Sequence, residues 1–153
     1  MPDASLLLKY VHILAAFVYV TGYLTGGILA AAAGRTTEWP ARDALMRTSE
    51  TFTNRLLIPG FIAAAVLGVI TALVMGYPLT SGWVLYALVV FVVMLLIGIL
   101  FWGRLGRKQM AALQSRDDAT FVALGRQTSV RVVTIVDGLL LLLLIYLMVA
   151  RPA

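Results

Sequence analysis

Four long apolar runs organise the chain, at about Ser5–Ala33, Leu56–Gly76, Trp83–Gly103 and Val130–Ala150. Each reaches the roughly 20 residues that an α-helix needs to cross about 30 Å of hydrocarbon. None shows the strict alternation of a barrel strand, and a lipid-exposed backbone must satisfy its polar groups within a helix or a closed barrel. The pattern therefore predicts one domain over 1–153, an all-α integral membrane four-helix bundle. The first run is far longer than the apolar core of a secretory signal, and Asp3 precedes it where a signal would carry basic residues. It is read as a retained helix.

The polar stretches between the runs predict short amphipathic helices. "TEWPARDALMRTSETFTNR" offers Thr37 as a cap, Pro40 in the first turn, and apolar Leu45, Met46 and Phe52 behind them. "RDDATFVALGRQ" offers Asp117 or Asp118 as the cap of a helix running into the fourth span, with Phe121, Val122 and Leu124 along the membrane surface.

Composition agrees with the pattern. The chain is 61% apolar and 12% charged, against about half apolar and about a quarter charged in soluble domains; its mean hydropathy is +0.97. The absence of cysteine excludes disulfides, thiolate metal sites and cysteine nucleophiles. The net charge of +5 suggests nucleic-acid binding only until its residues are placed. Arg35, Arg42, Arg47 and Arg55 fall in one connection; Arg104, Arg107, Lys108, Arg116 and Arg126 fall in another. The turn "YPLTSG" carries no charge. Basic loops face the cytoplasm, so both termini are expected outside. The charge then needs no nucleic acid. The expected partners are lipid and membrane subunits, either further copies of this chain or other proteins.

Chemistry within the spans is sparse. There is no P-loop, GxGxxG or HExxH motif. His12 is the only histidine, and helical steps from it pass Ala16, Tyr19, Tyr23, Gly26 and Ala30. Gly22 and Gly26 form a GxxxG pair, and Gly60, Ala64, Gly68, Ala72 and Gly76 recur every four residues in the second span. Such stripes let helices approach closely in lipid, where no hydrophobic drive brings them together. Pro59–Gly60 either starts or kinks that helix. Asp137 lies within the fourth span, because the 13 uncharged residues after it are too few to cross alone. An intramembrane carboxylate calls for a protein partner: Arg55, Arg104 or Arg131 as an ion pair, or Thr134 and Tyr19 by hydrogen bonding. His12 and Asp137 sit toward opposite ends of their spans, too far apart in depth for one dyad.

"LKYVHILAAFVYVTG", "NRLLIPGFIAAAVLGVITAL", "GYPLTSGWV" and "FWGRLGRKQMAAL" follow one another in an order that resembles the DUF2269 family of predicted integral membrane proteins. The first helix also resembles that of the copper-resistance CopD family and of HemJ-type protoporphyrinogen oxidases. The HemJ-type resemblance implies haem b with His12 as axial ligand; Tyr19 and Tyr23, which helical stepping puts on the same face as His12, are then candidate cofactor-binding residues. Those enzymes also use a lysine on a later helix, and spans two to four hold none. The CopD resemblance implies copper handling, for which His12, Met75 and Met148 offer imidazole and thioether ligands. Three functions follow as alternatives. The leading one is an accessory subunit or scaffold of a membrane complex, respiratory or redox. The second is a haem-binding redox module. The third is copper or small-solute handling. Whether the chain is an enzyme stays open at this point.

Overall fold

The computed structural model describes residues 4–150, all-α with no strand among them. The elements are α1 (Ala4–Ala33), α2 (Trp39–Phe52), α3 (Ile58–Val74), α4 (Gly82–Ile97), α5 (Gly103–Gln114), α6 (Asp118–Gly125) and α7 (Thr128–Ala150). Two π-helical turns, Thr53–Leu57 and Gly98–Trp102, join α2 to α3 and α4 to α5. The amphipathic segment expected after the first span is thus a continuation of the second span, and α5 continues the third, making unbroken helices over Trp39–Val74 and Gly82–Gln114. With α1 and α7 they are four helices long and apolar enough to cross a bilayer. The chain divides into two compact units, Met1–Leu79 and Thr80–Ala153.

In the first unit α1 packs along α2, the π turn and α3. The π turn follows from Pro59. Proline cannot donate to the carbonyl four residues back and its ring crowds that carbonyl. The backbone widens just before it, and Ile58 N–H bonds the carbonyl of Thr53, five residues back. The antiparallel α1–α3 contact is set by glycines. A Cβ on Gly22 would collide with the Leu57 backbone, and one on Gly60 would lie 2.6 Å from Tyr19 N. Further down, Ser49 Oγ donates to the Gly26 carbonyl at 2.8 Å.

The α1–α2 corner is closed by Arg42, which is 4% exposed. Its Nε donates to the Ala33 carbonyl at 3.2 Å and its Nη2 to the Thr36 carbonyl at 2.6 Å. The last carbonyls of a helix lack intrahelical partners and carry partial negative charge, so a cation there satisfies both demands. The cap of α2 is Glu38, not Thr37, and no side chain caps it. Pro40 lacks one of the donors that a cap would bond, which removes part of the reason for one.

The small-residue stripe of the second span stops one step short of expectation. Gly76 lies beyond α3 with φ +77°. Tyr77 N–H bonds the Ala72 carbonyl and Gly76 N–H the Leu73 carbonyl, the paired bonds of a Schellman cap. Gly76 ends the helix and packs against nothing.

In the second unit α4 packs on α7, and α5 on α6. Asp117 caps α6, its Oδ1 accepting from Thr120 N at 2.9 Å. The helix does not run into the fourth span: it stops at Gly125, and α7 begins at Thr128. Phe121 is 1% exposed and so is not on the membrane surface. Arg116 closes α5 with the same paired bonds that Gly76 makes, at φ 57° without being glycine.

Candidate functional site

One imidazole and one carboxylate fall deep within spans, one in each unit. His12 sits on α1 where α3 presents Gly68. A Cβ on Gly68 would lie 2.9 Å from His12 Cε1 and 3.4 Å from Nδ1, so the imidazole rests on the space that glycine leaves. The Ala64 carbonyl, one turn away on α3, faces the ring. Nδ1 is nonetheless buried without a hydrogen bond of good geometry. Thr71 Oγ1, one turn beyond Gly68 on the same helix, is also buried and unbonded. An orphaned buried polar atom carries a desolvation cost of about 1–3 kcal/mol. Both atoms fall within a turn of Gly68 along the unit.

Tyr19 is buried on the same face of α1, its ring 5.2 Å from Phe61 and 6.2 Å from Tyr23. It lies seven residues from His12, about 10 Å along the helix. The contacts of Gly22 with Leu57, Gly60 with Tyr19 and Gly68 with His12 fix an antiparallel register. In that register Met75 is seven residues past Gly68, again about 10 Å from the level of His12. Neither Tyr19, Tyr23 nor Met75 is gathered around the imidazole. Met148 lies in α7 of the other unit.

Asp137 is 5% exposed on α7. Its Oδ2 accepts from Trp102 Nε1 at 3.1 Å. Trp102 ends the second π turn, where Gly103 N–H bonds the Gly98 carbonyl five residues back. An inserted residue turns the helix face by about 100°, and Gly103, where a Cβ would lie 3.4 Å from the Gly98 oxygen, leaves room for it. The partner is an indole, a donor not among those expected. Arg104 and Arg131, in the same unit, are exposed, as is Arg55 in the other. A tryptophan 35 residues away gives no local signal of where its N–H will point.

No group of three or more His, Cys, Asp or Glu side chains that could hold a metal ion occurs among the described residues. The long apolar helices, their close glycine contacts and a buried carboxylate met by a protein donor define an all-α, multi-pass integral membrane protein. The chain belongs to the family described as predicted integral membrane protein (DUF2269), whose model matches residues 6–152. No curated protein and no solved structure matches it.

Proposed function

We propose that this chain is an accessory subunit or scaffold of a membrane complex. One observation carries the reading: the intramembrane imidazole and carboxylate are each set against a neighbour within their own unit, His12 on Gly68 and Asp137 on Trp102. Each helix pair then presents outward a long apolar face, with Phe17 66%, Ile28 68% and Val149 79% exposed. Such faces suit lipid and the packing of further membrane helices, from other subunits or from second copies of this chain. The test is the mass of the assembly extracted in mild detergent and of the same sample after stronger detergent. A reproducible stoichiometric assembly is expected. A protein that is monomeric at every detergent concentration defeats the proposal.

The basic connections support a bacterial inner-membrane orientation with both termini and the Tyr77–Gly82 turn outside. Thr36→Cys and Ser115→Cys introduce single thiols into a cysteine-free chain. Neither should react with an impermeant reagent on intact cells; labelling before lysis refutes this orientation.

A second reading, a haem- or copper-binding module, is favoured by the orphaned Nδ1 of His12. The imidazole supplies one ligand, and any other must come from outside the α1–α3 contact. Oxidised and dithionite-reduced absorption spectra of the purified protein, with metal analysis, test it. A Soret band lost in His12→Ala supports haem. A preparation free of chromophore and metal, made with added haem precursor or copper, leaves His12 its packing role.

A further inference from the structure

Where the third membrane helix leaves the apolar region, the second π turn, α5 and the α6–α7 corner line a half-open cavity of about 230 Å³, along which Leu100, Arg104, Lys108 and Gln127 are exposed. Its wall on one side steps down a single helix face, from Leu100 and Phe101 through Arg104 and Leu105 to Lys108. Leu124 and Gln127 line the other side. The order matters. The apolar residues lie toward the membrane, and the two cations follow one and two turns further out. No acid lines the cavity. Asp117 and Asp118 stand at the opposite end of the α5–α6 pair, about 13 Å from Lys108 along α5. The Asp117 carboxylate is already engaged by Thr120. Asp137 is ten residues into α7, about 15 Å from Gln127, and is engaged by Trp102. Arg104 and Lys108 make no ion pair or side-chain hydrogen bond among the described residues.

We propose that this cavity binds the phosphodiester headgroup of an anionic phospholipid. Arg104 and Lys108 take the phosphate, Gln127 bonds a headgroup oxygen through its amide N–H, and the acyl chains run down Leu100 and Phe101. An arginine fork matches two phosphate oxygens at once, and lysine adds a compact charge. Basic pockets between membrane helices are suited to such headgroups. The graded wall distinguishes a lipid from a free anion, since only a lipid uses the apolar half.

Trp102 follows Phe101 directly and serves as the probe. Trp39→Phe with Trp83→Phe leaves it as the only tryptophan of the three. The full chain is placed in phosphatidylcholine vesicles containing brominated phosphatidylglycerol or, at the same fraction, brominated phosphatidylcholine. Bromine quenches a tryptophan that it touches. The expected result is excess quenching by the anionic lipid equivalent to roughly tenfold local enrichment. Arg104→Gln with Lys108→Gln should bring the two lipids level, and Arg104→Lys should keep most of the excess. Arg35→Gln with Arg107→Gln removes the same charge outside the cavity and should leave it intact. Equal quenching by both lipids in the parent overturns the proposal. So does an equal loss in the charge-matched variant, which would mean general surface attraction. Loss of the excess on replacing chloride by inorganic phosphate at constant ionic strength overturns the lipid assignment in favour of a free phosphate.

Discussion

Replacing Gly22 by alanine sets two effects against each other. Alanine is favoured over glycine in a helix interior by about 1 kcal/mol. Gly27 shows that effect alone, because a Cβ there meets nothing within 4 Å. At Gly22 the added methyl collides with Leu57 N and lies 2.8 Å from its Cα and 3.0 Å from the Leu56 carbonyl carbon. These are backbone atoms beside a π turn, and no rotamer change moves them. The helices must separate, at a cost of about 1–3 kcal/mol for overpacking. Separation also loosens the close contacts that hold helices together in lipid and stretches the Ser49–Gly26 bond. The steric term wins, and Gly22→Ala should be about 2 kcal/mol less stable than Gly27→Ala, roughly thirtyfold in the folding equilibrium. Gly60→Ala meets the Tyr19 backbone and should behave alike. Gly68→Ala meets only the His12 ring, which can turn, so its cost should stay near 1 kcal/mol and largely vanish beside His12→Ala. Unfolding in mixed micelles, read by circular dichroism with Gly27→Ala as reference, measures the series. Equal stability of Gly22→Ala and Gly27→Ala would refute the packing argument.

Backbone conformation yields an opposed pair: Gly76→Ala should destabilise by about 1 kcal/mol, because alanine resists φ +77°, whereas Arg116→Gly should stabilise by a similar amount; thermal unfolding of both variants checks the signs. Trp102→Phe keeps the aromatic ring but leaves Asp137 without its donor, and should cost about 1 kcal/mol; Asp137→Asn retains an acceptor and should cost less, so the reverse order in the same unfolding assay would reject the indole bond. Asp117 is held below the usual carboxylate range by bonds from the Thr120 hydroxyl and backbone N–H. Its contribution is therefore complete above the ordinary carboxylate pKa of about 4 and is lost as acid carries the pH down through the lower folded value. Asp117→Asn should flatten that part of the acid-unfolding curve, and an unchanged curve would reject the cap.

The four spans and the all-α class were legible in the sequence because hydrocarbon imposes its demand on every residue of a crossing helix, and that demand shows as composition. The small-residue stripes were legible for the same reason: only residues without bulk permit close approach. Which backbone each glycine meets was not, since a stripe states its own shape and says nothing of its partner. Pro59 announced a disturbance, and the structure resolved it as a π turn just before the ring. Arg42 counted in the sequence as one loop charge among several. Only the folded corner brings the Ala33 and Thr36 carbonyls to its guanidinium. Asp137 declared by its depth that it needed a partner, while the choice of Trp102 depends on a π turn that rotates the indole toward α7. Residues far apart along the chain meet through the phase of two helices, and a single inserted residue resets that phase without leaving a mark in the hydrophobic pattern.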